Sequence, residues 1–322
     1  MTKKSNQILT AVLLSILLSA IITYATIPRS QVAENPIQQK DIAVLEDVIG
    51  LDTTTYTVTG NKQSNNIITG HRQDTTDFNL FADQSSLRVD LSFIDNKFHR
   101  IYLHQYVGSP VQKQEETNIL DMARSFMTRY QSYTGDSFYS ELGALLDGVS
   151  LNENIVKIAG NVQLEVSVFG QDYQNLIWTY IDENGVTAPF KNVFLSYAHG
   201  KLESFNDNWQ FYKIGGTPKI SSDEAVAIAL KAVEDLFWDA YTDNNELVTV
   251  SDFKIVAIGN TSLCYLNYYK STSSPTRSGD QFILYPAWYV PLGFDDVYPG
   301  TVTGATVRVW ADTGEVASMS PM

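Results

Sequence analysis

The sequence predicts an α+β protein of tandem helix-plus-antiparallel-sheet modules behind an N-terminal transmembrane helix. Three observations carry this expectation. The chain opens with an uncharged apolar run; a capped amphipathic helix at residues 221–240 is followed by strand-like segments with no second crossover helix; and the order of a helix followed by strands occurs three times. A helix that precedes a run of strands, without crossovers, implies an antiparallel sheet covered on one face.

Lys3 and Lys4 precede residues 8–27, which carry no charge. That is close to the roughly 20 residues a membrane-spanning helix requires. Positive charge before the span predicts a cytoplasmic N-terminus and an extracytoplasmic body. We assign residues 1–28 as a signal anchor. A cleaved signal peptide is the rival, because Thr23 and Ala25 have the small side chains of a cleavage site, and cleavage at Ala25 makes the protein secreted. Both readings export the body. Residues 28–34 are mostly polar and read as a tether.

The first α+β unit, residues 29–110, begins with Asn35 as a cap and Pro36 at the first helical position, placing Ile42, Leu45, Val48 and Ile49 on one side. Strand-like segments follow at 54–59, 67–71, 86–94 and 98–107. The last two form a hairpin about Asp95 and Asn96, with Leu87, Val89, Leu91 and Phe93 alternating towards one face. The second unit, residues 111–217, has Ile119, Met122, Ala123, Phe126 and Tyr130 at helical spacing, a shorter helix at 137–146, and strands between 155 and 205.

In the third unit, residues 218–322, Ser221 and Glu224 form a capping box, and Asp223 and Glu224 suit the positive end of the helix dipole. Val226, Ala229, Leu230, Val233, Leu236, Phe237 and Ala240 step by three and four onto one face. Strand-like segments rich in Val, Ile, Tyr, Phe and Trp follow at 253–258, 263–269, 282–291 and 303–318. The second and third units share details. Each has a tryptophan strand (Trp178, Trp288), then an acidic turn, then a hairpin turning at a glycine (Gly200, Gly314).

The helix from Ser221, the strand Pro286-Ala287-Trp288-Tyr289-Val290 and the hairpin around Asp312-Thr313-Gly314 together resemble the PepSY type of propeptide-associated domain, a cystatin-like pairing of one helix with a small antiparallel sheet. The family's hairpin commonly reads D-x-x-T-G or D-x-T-G, and this chain has the shorter D-T-G. The resemblance is greatest over residues 221–322, weaker over 118–215 and architectural over 35–107. It implies binding or restraint of a partner protein of the cell envelope, and it implies no catalytic residues. The propeptide members have a peptidase domain, and none follows Met322.

Composition narrows the alternatives. A chain of 322 residues with 44% hydrophobic and 12% aromatic residues is a folded protein. A formal charge of −14 repels nucleic acid, so no nucleic-acid partner is expected. One cysteine, Cys264, excludes an internal disulfide framework, and its apolar strand suggests an inert buried thiol. Asp312-Thr313-Gly314 spells the aspartic-protease triplet, but the matching place in the other repeat is Ala198-His199-Gly200, so the second aspartate is missing and a turn is favoured. Ser251-Asp252-Phe253-Lys254 fits S-x-x-K, whose chemistry requires a helix where this stretch enters a strand. The histidines His71, His99, His104 and His199 are scattered. The acidic turns at 182–185, 243–246 and 295–296 lack the spacing of a calcium loop and read as solvated turns. We therefore expect no enzyme, cofactor or metal. Asn260-Thr261-Ser262 is a glycosylation acceptor pattern, compatible with an external loop.

The remaining candidate is a surface. Tyr265, Tyr268, Tyr269, Trp288 and Tyr289 cluster in the third unit, and Tyr and Trp offer large rigid contact area with a polar tip. The expected function is that of an extracytoplasmic, membrane-anchored, non-enzymatic module that binds or restrains a partner protein, such as an exported peptidase or another envelope enzyme. The alternative is binding of carbohydrate or another envelope polymer through exposed aromatics.

Overall fold

A computed structural model of the chain describes residues 39–68, 71–114, 116, 118–169, 172–242, 244–267 and 280–322. The apolar run at 8–27, the tether and the cap at Asn35 and Pro36 lie outside these residues. Among the described residues, no helix is long and apolar enough to cross a membrane. The architecture is mixed α+β, with few helices and large antiparallel sheets.

Helix α1 (Gln39–Ala43) runs into a wide π-type turn (Val44–Ile49) that buries Val44, Leu45, Val48 and Ile49. Four antiparallel strands follow: β1 (Thr57–Ile68), β2 (His71–Ala82), β3 (Ser85–Ile94) and β4 (Lys97–Val107). The β3–β4 turn has Asp95 at φ 48° and Asn96 at φ 65°. Two successive left-handed residues match the twist of a tight hairpin, and Asp and Asn tolerate that conformation. Leu87, Val89, Leu91 and Phe93 all face the core.

Helix α2 (Ile119–Thr134) starts at Asn118, whose side chain accepts the Asp121 N–H at 2.9 Å, and ends at Gly135 with φ 74°. A short helix α3 (Phe138–Ala144) leads to strands β5 (Ile155–Ala159), β6 (Val162–Phe169), β7 (Tyr173–Ile181), β8 (Thr187–Ala198) and β9 (Lys201–Asp207). These strands join the first four in one nine-stranded sheet of order β1-β2-β3-β4-β9-β8-β7-β6-β5. The seam is the antiparallel pairing of Arg100, Ile101 and Tyr102 with Asn206, Phe205 and Ser204. Strands β1–β4 and β5–β9 therefore share a sheet and a core. At the seam Phe205 packs against Phe98, Phe126 and Tyr130 with ring centroids 5.5, 4.7 and 4.9 Å away. The joining has a simple cause: the last strand of each run has a free edge, and pairing those edges satisfies both rows of backbone groups while the helices cover one continuous apolar face.

The third part begins with strand β10 (Lys213–Ile214) and helix α4 (Ser222–Ala232). Ser221 Oγ accepts the Glu224 N–H at 3.2 Å, and the Glu224 carboxylate accepts the Ser221 N–H at 2.7 Å. The Ser221 N–H, and then its hydroxyl, donate to the Glu224 carboxylate and hold it below its usual range. Ser221→Ala should cost about 1 kcal/mol, read as a lower urea midpoint at unchanged slope.

The periodicity that extends this helix to residue 240 misleads. The α-helix ends at Ala232, a single 3₁₀ turn (Val233–Asp235) follows, and the chain becomes strand β11 (Trp238–Tyr241), paired with β12 (Leu247–Val250). Phe237 points to solvent while Trp238 and Ala240 are buried. Extended backbone lets the Trp238 ring stack on Phe294 at 6.0 Å and its N–H donate to the Pro299 carbonyl at 3.1 Å. Tertiary packing thus overrides helical propensity.

Strands β13 (Ile255–Ile258) and β14 (Ser262–Asn267) both pair with the long β15 (Ile283–Tyr298), which continues into β16 (Val302–Trp310) and β17 (Val316–Pro321). Gly314, at φ 78°, closes the last hairpin by donating to the Trp310 carbonyl at 2.8 Å. Helix α4 buries Ala225 and Ala229 in a core with Val290, Leu292, Val307 and Val309. This part meets the large sheet where Tyr265 and Leu284 pack on Val186 and Ala188, and where Phe282 packs on Ile94 and Phe211.

Candidate interaction surface

The aromatic residues singled out in the third unit do not form an exposed stripe among the described residues. Tyr265 is only 3% exposed, because β14 turns it towards the β7–β8 hairpin, and its hydroxyl donates to Asp182 at 3.0 Å. Burial and the neighbouring carboxylate push this phenol up to about 12. Trp288 faces helix α4 and donates to the Ile220 carbonyl at 3.1 Å. Tyr289 accepts from the Thr306 hydroxyl at 3.1 Å. Tyr268 and Tyr269 lie outside the described residues.

Exposed aromatics lie at Phe237 and Tyr241 in the third part and also on the large sheet. Its helices cover the face that buries Leu87, Ile101 and Leu176, and the alternate residues point the other way. On that other face a transverse row runs Asn61, Asp77, Asp90, Tyr102, Ser204, Ser196, Asn175 and Ser167, one residue from each of eight strands, with Ser204 and Ser196 buried among their neighbours. The charged end of the row lies on β2, β3 and β4. Arg88 Nε donates to Asp90 at 2.9 Å, and His104 Nε2 stands 3.2 Å from the other Asp90 oxygen. Burial, and then the charge of Asp90 directly opposite, raise the Asp77 carboxyl above its ordinary range. Arg100 lies over the Tyr102 ring at 5.0 Å, and Phe81, Tyr102 and Tyr106 are exposed beside these charges. Sequence reasoning missed this patch. The alternation of Tyr102 and His104 with Ile101 and Leu103 was visible, but which face the helices cover was not.

Other polar groups are internal struts. Asp207 is fully buried, and its carboxylate accepts from Tyr139 OH at 2.5 Å, Tyr130 OH at 2.8 Å, Gln210 Nε2 at 3.0 Å and the Trp209 N–H at 2.8 Å. The first two tie α2 and α3 to the end of β9. Burial outweighs these donors and raises the carboxyl's proton affinity. Lys62 and Asp41, also buried, form an ion pair at 3.2 Å that fastens α1 to β1. His99 has its pKa lowered to about 4 by burial and pairs with Asn208 at 3.1 Å.

The shorter motifs fall apart in space. Ser251 and Lys254 lie outside any helix or strand, and the Lys254 N–H donates to Asp295. Asp182 is saturated within its turn by the N–H groups of Asn184 and Val186 and by Tyr265. His71 pairs with Asp95, and His199 with Asp172. Among the described residues, no group of three or more His, Cys, Asp or Glu is placed to hold a metal ion. Cys264 is partly exposed, and burial raises its thiol pKa.

No family model matches the chain, and no curated protein matches it. Among solved structures the chain is similar to the Bacillus megaterium YpeB C-terminal domain, at a TM-score of 0.34 and 10% identity, covering 89% of this chain and 99% of that one. At that TM-score the likeness carries no argument.

Proposed function

We propose that this protein is an extracytoplasmic, membrane-anchored, non-enzymatic module that binds or restrains another protein, such as an exported peptidase or another envelope enzyme, through the open face of its nine-stranded sheet. The observation that carries this reading is the one-sided covering of that sheet, which leaves the Asp77–Asp90–Arg88–His104 ladder beside exposed Phe81, Tyr102 and Tyr106. Exposed Phe and Tyr, with Arg88 and Arg100 beside them, are residue types enriched at protein-binding surfaces, in which a few anchors supply most of the affinity. The PepSY-like arrangement of residues 221–322 and the uncharged run at 8–27 support the class and the location. Cross-linking of the full chain in native membranes followed by mass spectrometry should yield one stoichiometric protein partner. Tyr102→Ala and Tyr106→Ala should each weaken its capture several-fold while changing stability by no more than about 0.5 kcal/mol, as is usual for exposed side chains. Capture unchanged by both variants would sink the assignment to this face.

The same exposed rings favour a second reading, in which a saccharide of the envelope lies on Phe81, Tyr102 and Tyr106 and hydrogen-bonds the adjacent carboxylates. Co-sedimentation with purified envelope glycan, lost in Tyr102→Ala and in Tyr106→Ala with no protein partner found, is the result that selects it.

A further inference from the structure

The outward face of the β11–β12 ribbon carries a carboxylate between two aromatic rings. Leu236, Trp238 and Ala240 are buried, whereas Phe237 is 66% exposed, Tyr241 63%, and Asp239 between them is exposed as well. Residues two apart in extended chain share a face at a spacing of roughly 7 Å. Across the ribbon Asp239 stands opposite Thr249, and Tyr241 opposite Leu247, itself 62% exposed. The Thr249 hydroxyl donates to Asp239 Oδ1 at 2.6 Å and holds the carboxylate in position.

This face is mounted on a fixed support. The Trp238 ring lies against Phe253 and Phe294, with centroids 5.6 and 6.0 Å away. Ala240 approaches Gly300 so closely that a Cβ on that glycine would sit 3.2 Å from the alanine methyl. A face held in this way loses little conformational freedom when it binds. Its charge also has one sign. Residues 232–250 contain five acidic side chains and no lysine or arginine, and Glu234, Asp235 and Glu246 are exposed on either side of the rings in sequence.

We infer that this face binds an arginine within a basic, partly apolar segment of a partner protein. A guanidinium is planar, so its edge matches a carboxylate while its face stacks on aromatic rings. One side chain thereby engages Asp239, Phe237 and Tyr241 together. A lysine ammonium is a compact, strongly hydrated charge that uses the carboxylate but stacks poorly. Apolar residues beside the arginine cover Leu247. The acidic surround steers a basic segment in, and it repels both anionic lipid and the same face of a second copy. The ribbon belongs to a different sheet from the ladder at β2–β4, and the inference does not depend on what binds there.

The test uses the full chain in mild detergent with 3-fluorotyrosine in place of Tyr241, whose fluorine resonance reports even weak binding at that ring. The probes are the peptide acetyl-Leu-Val-Arg-Val-Leu-amide and the same peptide with citrulline for arginine, which keeps the shape and removes the charge. The arginine peptide should move the resonance to saturation, and the citrulline peptide should bind about ten-fold more weakly. Asp239→Asn, which retains an acceptor for the Thr249 hydroxyl, should weaken the arginine peptide by a similar factor, and Phe237→Ala should weaken it several-fold. Glu153→Gln removes the same charge outside the third part and should change nothing. If Phe237→Ala fails to fold, Asp239→Asn and the citrulline peptide still decide the matter. An arginine peptide that leaves the resonance unmoved overturns the inference, as does equal binding of the citrulline peptide. Equal losses in Glu153→Gln and Asp239→Asn would also overturn it, reducing the effect to the general negative field of the protein.

Discussion

Asp207→Ala should lower the stability of the protein by about 3–5 kcal/mol, the range expected when a buried, multiply bonded carboxylate is removed and its donors lose their acceptor. Tyr130 and Tyr139 would keep buried hydroxyls with no carboxylate to receive them, and α2 and α3 would lose their tie to β9. Replacing both tyrosines by phenylalanine in the Asp207→Ala background should recover part of the loss, because it removes the stranded donors. Denaturant titration measures both. The pH dependence has a definite sign. Asp207 has a higher pKa folded than unfolded, so the folded state binds more protons between the two values. The stabilising contribution is complete below the unfolded pKa and is lost as pH rises through the folded one. Asp207→Asn carries no such titration. Its deficit relative to the wild type should therefore be larger in mild acid than at neutral pH, and a pH-independent deficit would refute the account.

Gly108→Ala should cost about 2–4 kcal/mol, combining a left-handed backbone with overpacking. Gly108 lies just past β4 at φ +66°, and a Cβ there would sit 1.8 Å from the Gln84 carbonyl oxygen in the β2–β3 turn. Backbone cannot rotate aside as a side chain can, so the substitution should disturb the cleft of about 630 Å³ that Gly108, Gln84 and Lys201 help to line. Gly160, at φ +55°, provides the control. A Cβ on it meets nothing within 4 Å, and Gly160→Ala should show only the backbone part, about 1–2 kcal/mol. Equal losses at the two positions would mean that the close approach at Gly108 contributes nothing.

Local features of this chain were the legible ones. Ser221 with Glu224, Asp95 with Asn96, and Gly314 each act within a few residues, and each appears as a cap or turn. Features set by distant neighbours were not legible. The stretch after Ala232 has helical periodicity, yet Trp238 is claimed by Phe294 and Pro299, about 60 residues further along the chain. The union of the first two runs of strands rests on three residue pairs at the seam, and nothing in the strands themselves marks which free edges will meet. Which strand aromatics are exposed was not legible for the same reason. Tyr265 and Tyr102 look alike in a strand, and only the position of the β7–β8 hairpin and of the helices buries the first and exposes the second. Asp207 gave no warning either, since an aspartate in a polar turn usually meets water.

The seam between β4 and β9 also orders events in time. A chain made from its N-terminus completes β1 to β4 early, but the strand that covers the free side of β4 emerges only after two helices and four further strands. Until then β4 is a bare edge beside a half-covered core, the kind of surface on which nascent chains associate wrongly. Closure of the sheet is therefore expected late in biogenesis, and a chain halted between residues 107 and 204 would lack the strand that pairs with β4.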